Sequence, residues 1–482
     1  MAAPTPVAAA GAAAAPAAGA APAPAPAPVA APVAGAGATP APAVTPVPGV
    51  MPAPAVGGVR EEVSGREVAA GYKAHLSRGR GKLGEMFGGH VEVSSAGCRV
   101  RTADGREFLN AGGYGVFLTG ACHPRVVAAV ERQIRTLPLS TRLLLEPSAA
   151  RAAAALAGVS PAGLERVHFT GSGAEAVETA LKLARSLGHR RVIATRGGYH
   201  GKTLGALSVT GKPLYQDPFR PLLPLVSHVP YGDLAALAAE IGGDGSDAVV
   251  ILEPVQGEAG VVIPPDGHLR DVEELCRATG ALFVLDEIQT GMGRLGAWWG
   301  ADRERVSPDI LLAGKSLSGG VIPVAAAIAT PRAFAAFDRD PFIHTSTFSA
   351  APVAMAAATA AIEVIRDEDL TGRAARLGGV LLGRLRETVA EHCAHLVREV
   401  RGVGLLMGVE FHDAGSAGEF LLALLDRGVI VNHSLNAHTV VRFTPPAVLS
   451  DAEVDELSEA VRGAAREIGR RSVPAAHTRG SN

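Results

Sequence analysis

The chain has 482 residues, 48% hydrophobic and 19% charged, and 45 Lys and Arg against 47 Asp and Glu leave a net charge of −2. That balance argues against a polyanion-binding surface, because nucleic-acid-binding domains are usually strongly basic. Four scattered cysteines (Cys98, Cys122, Cys276, Cys393) with no C-x-x-C pair exclude a disulfide-stapled module and a cysteine-ligated zinc fold, and point to free thiols in a reducing cytoplasm.

The first 59 residues carry no charged side chain and are almost entirely Ala, Pro, Gly and Val. Proline at that density blocks helix and sheet, and alanine buries too little surface to offset the entropy of ordering. A disordered, partly polyproline-II tail is expected over 1–59. It lacks the basic n-region of a signal peptide, and no stretch of membrane-spanning length is free of proline.

The remaining 423 residues suffice for one large α/β domain and a smaller one. Continuous apolar runs at Val192–Thr195, Ala248–Leu252 and Ala281–Leu285 suit strands buried on both faces of a parallel sheet. Between them the spacing predicts helices over about Ala174–Leu187, with Val177, Ala180, Leu181 and Ala184 on one stripe, and over Leu269–Thr279. Strands alternating with helices indicate an α/β fold with ligands beyond the carboxyl ends of the strands. Further on come an alanine-rich helix over Pro352–Ile365 and strands at Val429–Val431 and Thr439–Phe443. A Ser450/Glu453 capping box then opens a helix to about Ile468, so this end reads as a smaller α+β domain.

Three sites along this order carry chemistry. Phe169-Thr170-Gly171-Ser172-Gly173-Ala174-Glu175 is a glycine-rich turn running into a helix, whose free amides suit phosphate; alone, such a turn is more often only a turn. Phe283-Val284-Leu285-Asp286 ends a strand in an acid, able to hold a protonated ring nitrogen, a metal or a ribose, or simply to cap a loop. Ile310-Leu311-Leu312-Ala313-Gly314-Lys315 follows an apolar strand with a lysine, 29 residues after Asp286, whose desolvated amine could form a Schiff base. A P-loop reading of Gly314-Lys315-Ser316 fails because position 309 is Asp, and Gly171-x-Gly173-x-x-Ala176 matches the dinucleotide fingerprint only in part. The 15 histidines include no H-E-x-x-H, so no metal site is expected. Together, phosphate cradle, carboxylate and lysine are what pyridoxal 5′-phosphate requires.

With Gly198-Tyr199-His200-Gly201-Lys202, Glu253-Pro254-Val255-Gln256-Gly257-Glu258, Leu285 to Gly291, Pro308 to Lys315 and His344-Thr345-Ser346-Thr347-Phe348, the sequence from about Gly112 to Leu457 resembles the class III (ω-type) pyridoxal-phosphate-dependent aminotransferases of fold type I. Within them it is most similar to putrescine aminotransferases, then to ornithine and acetylornithine aminotransferases. The resemblance implies a large doubly wound, mainly parallel sheet domain (126–351) and a smaller α+β domain assembled from 60–125 and 352–472, with a disordered tail at 473–482. It implies Lys315 as the cofactor-linked lysine that also moves a proton, and Asp286 as the partner of the ring nitrogen. Ser172, Gly173 and Ala174 would cradle the phosphate, Tyr199 and His200 would line the ring, and Gln289 would bond its hydroxyl. Thr347 would reach the phosphate of a neighbouring subunit, making a homodimer with shared sites. Arg442 would grip the carboxylate of a keto acid, Glu258 would pair with Arg442 when an amine without a carboxylate is bound, and Tyr114 would contact substrate. Departures from the family pattern are Ser316-Leu317-Ser318 after the lysine, Ala351 in Phe348-Ser349-Ala350-Ala351-Pro352, and Ala174 in place of a threonine.

The expected activity is transfer of the amino group of a terminal amine, from a diamine or ornithine-like donor, to 2-oxoglutarate by a ping-pong route. Its partners would be these small molecules, with no nucleic acid and no membrane. Rival readings are an aminotransferase of specialised biosynthesis acting on an aldehyde or ketone, an aminomutase of the same fold, and a non-catalytic scaffold, against which intact Lys315 and Asp286 weigh.

Overall fold

Continuous apolar segments and their flanking turns set the architecture. The structure, a computed structural model, describes residues 64–471. The tails expected over 1–59 and 473–482 lie outside the described residues. Fifteen strands follow in chain order: β1 Glu92–Ala96, β2 Arg99–Thr102, β3 Glu107–Asn110, β4 Arg166–Thr170, β5 Arg191–Thr195, β6 Val226–Val229, β7 Ala248–Leu252, β8 Leu282–Asp286, β9 Ile310–Ala313, β10 Ala325–Ala329, β11 Val397–Val403, β12 Leu406–Phe411, β13 Val429–Ile430, β14 Asn432–Ser434 and β15 Ala437–Phe443.

Seven of them form the central sheet in the order β4-β10-β9-β8-β7-β5-β6. The pairs β5/β6, β5/β7, β7/β8 and β8/β9 are parallel, and β10 alone runs against its neighbours. Every residue of β7, β8, β9 and β10 is buried, as expected of strands covered on both faces. The predicted helices stand at Gly173–Ser186 and His268–Thr279. The stripe Val177, Ala180, Leu181 and Ala184 is buried against the sheet, while Lys182 and Arg185 face solvent.

Two smaller sheets flank this one. One has the order β1-β2-β3-β13, so a strand from the C-terminal third completes a sheet begun near residue 92. The other, β11-β12-β15-β14, is antiparallel and carries Arg442, opposite Gly408 and Asn432. The alanine-rich helix spans Pro352–Asp367 and buries Met355, Ile362 and Ile365 in the main core. The Ser450/Glu453 box forms reciprocally: Ser450 N–H donates to the Glu453 carboxylate at 2.9 Å and Glu453 N–H to Ser450 Oγ at 3.3 Å, opening Asp451–Arg471. Trp299 is fully buried, its indole donating to the Val159 carbonyl at 2.6 Å.

Candidate active site

The carboxyl ends of β4, β5, β7, β8 and β9 lie along one edge of the parallel array and deliver the chemistry-bearing residues there. After β4 the chain turns through Gly171 and Ser172 into the helix at Gly173. Ser172 Oγ accepts from Glu175 N–H (3.3 Å), and the Glu175 carboxylate accepts from Gly171 N–H (2.8 Å). This reciprocal cap leaves the Gly173 and Ala174 amides without a partner among the described residues, at the positive end of a 14-residue helix. Two glycines make the close approach possible. A Cβ on Gly173 would stand 2.8 Å from Ile288, and one on Gly201 (φ 120°) would stand 2.6 Å from the Ala174 Cβ.

Asp286 closes β8 and is buried. Its Oδ2 accepts from His200 Nδ1 at 2.7 Å and its Oδ1 from Ile288 N–H at 3.1 Å. Burial disfavours the His200 imidazolium, but the bond to Asp286 outweighs it and raises the pKa. His200 Nε2 is buried without a partner. Behind them Glu253 accepts from Tyr199 N–H (2.9 Å) and Gly257 N–H (3.3 Å), and burial pushes its carboxyl up to about 7. Tyr199 is thereby fixed by its backbone while its half-buried ring stays available.

Lys315 follows β9 and Gly314 in the left-handed region, φ 44°. It is half-buried, and its amine has no hydrogen-bond partner among the described residues. Burial pushes the amine below the ordinary lysine range; Glu258 opposes that shift and Arg442 adds to it, with Asp286 and Glu253 also within electrostatic reach. Ser316 Oγ donates to the Gly115 carbonyl at 3.1 Å, tying the lysine turn to the loop that carries Tyr114.

Arg442, fully buried on β15, pairs through Nη1 with Glu258 Oε1 at 2.7 Å, while its Nε and Nη2 have no partner. Gln289 Nε2 donates to the same Glu258 oxygen at 3.3 Å, and Leu435 N–H donates to Oε2 at 2.8 Å. Burial raises the Glu258 pKa, but Arg442, Lys315 and these bonds outweigh it and hold the carboxyl below its ordinary value. A Cβ on Gly257 would fall 1.4 Å from Gln289 Oε1, so only glycine leaves that amide its place.

Tyr114 is exposed with φ 55°, its amide donating to Asn432 Oδ1 at 3.2 Å, and a Cβ on the adjacent Gly115 would stand 3.9 Å from Lys315 Cδ. Thr347 stands apart, exposed and without a partner among the described residues. Its segment is anchored by His344, which sits between Lys182 Nζ (2.9 Å) and Thr179 Oγ1 (3.0 Å). Lys202 is exposed, 3.9 Å above the Tyr215 ring centre. No cluster of metal-ligating side chains occurs among the described residues.

Sequence reasoning missed the supports of this site. Arg294 is fully buried and donates to the carbonyls of Leu405, Pro445 and Gly115, so it fixes three loops; its one signal is the Gly291-Met292-Gly293 turn before it. Glu287 is buried beside Asp286 and accepts from Thr290 Oγ1 (2.5 Å) and Ala301 N–H (2.8 Å), and burial raises it to about 7. Between about pH 4.5 and 7 the unfolded chain ionises this acid while the folded chain keeps its proton, so stability falls as pH rises through that window and is level above it. Glu287→Gln cannot ionise. Its melting temperature relative to the parent protein should climb from pH 4.5 to 7 and then stop; a flat difference in thermal melts would refute the assignment.

The family profile described as "Aminotransferase class-III" matches residues 87–464. Among solved structures, an ornithine aminotransferase from Toxoplasma gondii is 30% identical, covering 85% of this chain and 96% of its own at a TM-score of 0.79. An (S)-enantioselective omega-transaminase from Thermomicrobium roseum is 30% identical, covering 84% and 99% at 0.76. A transaminase from the marine bacterium Virgibacillus is 26% identical, covering 79% and 94% at 0.74.

Proposed function

The chain belongs to the class-III aminotransferase family, and from that premise we propose that it transfers the amino group of a terminal amine, on a diamine or ornithine-like donor, to 2-oxoglutarate in two half-reactions. The cofactor of this fold type I family is pyridoxal 5′-phosphate. The donor set suits it: two unpartnered amides at a helix start, a buried carboxylate, a free lysine amine and a half-buried tyrosine ring. Gly173 and Ala174 would hold the phosphate with Ser172 as their cap, Asp286 braced by His200 would hold the ring nitrogen, and Tyr199 and Gln289 would line the ring and its hydroxyl. When bound, the cofactor supplies an aldehyde carbon that takes up nitrogen and a protonated ring that accepts an electron pair.

The residues divide the remaining work. Lys315 Nζ would take the proton from the amine-bearing carbon and release it to the carbon on the far side of the nitrogen; its depressed pKa suits an amine that must act as a base. Asp286 is held in place by two donors, His200 Nδ1 and the Ile288 amide. The observation that carries the substrate reading is the Glu258–Arg442 pair at 2.7 Å. With Glu258 across it, the arginine is neutralised and the site suits an amine without a nearby carboxylate. With Glu258 turned away, Nη1 is freed beside the unpartnered Nη2, and the two would present a planar fork to a dicarboxylate keto acid. Single-turnover reactions of the pyridoxal form with one amine at a time, followed by cofactor absorbance, test this. Diamines and ornithine should convert the cofactor and 2-oxoglutarate should restore it; conversion by alanine but by no ω-amine would overturn the reading.

Thr347, exposed with Phe342, Phe348 and Leu143–Leu145, supports a homodimer in which that threonine reaches the partner's phosphate. Four free cysteines, three of them buried, support a reducing, cytoplasmic setting. No helix among the described residues is long and apolar enough to cross a membrane.

A further inference from the structure

The turn between β14 and β15 has two residues, Leu435 and Asn436, because Ser434 pairs with Ala437. It brings no reactive side chain to the site, yet it is bound to Glu258 twice. Leu435 N–H donates to Glu258 Oε2 at 2.8 Å, and Asn436 N–H donates to the Glu258 carbonyl at 2.9 Å. Other groups fix the turn from outside. The Tyr215 hydroxyl donates to the Leu435 carbonyl at 2.7 Å, Lys212 Nζ to the Asn436 carbonyl at 2.8 Å, and Asn436 Nδ2 to the Gly197 carbonyl at 2.9 Å. Glu258 therefore cannot swing off Arg442 by breaking the ion pair alone. It must also give up the Leu435 amide, which Tyr215 and Lys212 hold in place.

We propose that the Leu435–Asn436 turn is a latch that sets how readily the Glu258–Arg442 pair opens, and so how well the second half-reaction accepts a dicarboxylate keto acid. The proposal rests on Arg442 being the keto-acid carboxylate site. Tyr215 and Lys212 are positioning residues: they act on substrate choice through the turn and touch neither carboxylate. The better the latch is held, the more keto-acid binding energy goes into opening it, while an amine donor without a carboxylate meets the closed state directly.

The turn geometry supplies a variant. Neither Leu435 nor Asn436 has a positive φ, so the turn is of the unprimed kind whose first central position accepts proline. Leu435→Pro removes the amide hydrogen that holds Glu258 and sets the ring Cδ where that hydrogen pointed, so it both deletes the bond and displaces the carboxylate. Tyr215→Phe removes only the hydroxyl grip on the turn. Losing one such bond should ease opening about 2- to 10-fold.

The test uses holoenzyme and the two half-reactions read separately by cofactor absorbance. In Leu435→Pro and Tyr215→Phe the apparent Kd for 2-oxoglutarate should fall about 2- to 10-fold, with the amine half-reaction at its parent value. Glu258→Gln is the control for the underlying reading and should lower the same constant at least as far. If Glu258→Gln lowers it and neither turn variant does, the latch is wrong and the Arg442 reading stands. If Glu258→Gln leaves it unchanged, the Arg442 reading fails and the latch falls with it. Equal tightening toward amine and keto acid would mark general loosening and would also overturn the latch. Should Leu435→Pro not fold, Tyr215→Phe decides alone.

Discussion

Lys315→Ala is expected to lose turnover by about 10²- to 10⁴-fold or more, the range that a positioned acid–base group supplies, while the protein still folds. The side chain makes no hydrogen bond among the described residues, so its removal strands no partner. The left-handed backbone at φ 44° is kept by alanine as by lysine, so backbone strain does not change sign. What is lost is a desolvated amine facing Glu258, Asp286 and Glu253. Lys315→Arg separates charge from proton transfer: it keeps a cation there, but arginine does not give up its proton in this pH range, so turnover should fall as far as in the alanine variant. Borohydride-treated holoenzyme should carry the cofactor's mass on the peptide containing Lys315. Label on another lysine, or near-normal turnover in either variant, would remove the foundation of the proposed chemistry.

Why the lysine was legible while its surroundings were not has a physical cause. Strands buried on both faces must be apolar at every position, so β7, β8 and β9 stand out as continuous runs, and the residue after each run falls at the ligand edge. That rule places Asp286 and Lys315 at the ligand edge, while their roles are read from the combined motifs and the family resemblance. β10, Ala325–Ala329, has the same burial but an alanine composition shared with many helices, and its antiparallel pairing leaves no mark in the sequence. The Ser450/Glu453 capping box is local, four residues wide, and therefore legible. His200 braces Asp286 across 86 positions and Leu435 bonds Glu258 across 177, and no periodicity encodes such pairs. A buried acid such as Glu287 looks like a surface acid in one sequence, because what distinguishes it is the desolvation that only the fold supplies. Arg294 is the same case in reverse, a cation held by three carbonyls and no acid.

Arg442→Ala should damage the two half-reactions unequally. In the parent protein this guanidinium and Glu258 are both buried, and the pair is supported by Gln289 and the Leu435 amide. Taking the arginine away leaves the Glu258 carboxylate buried against lesser donors, the circumstance in which breaking a buried pair costs about 3–5 kcal/mol. A keto acid arriving with two carboxylates then meets an acid where it needs a cation, and that half-reaction should slow by about 10²- to 10³-fold, since each 1.4 kcal/mol is a factor of ten. Arg294 cannot stand in, because its Nη groups are committed to the Gly115, Leu405 and Pro445 carbonyls. Arg442→Lys should recover little, since an ammonium offers a point charge where a planar fork would bond two oxygens. The amine half-reaction, which uses Arg442 only as the partner that neutralises Glu258, should lose less than about tenfold, a contrast visible in single-turnover traces. An equal loss in both halves would mean that the donor also presents a carboxylate to Arg442, and the native amine would then be an α-amino acid gripped in the same orientation as the acceptor.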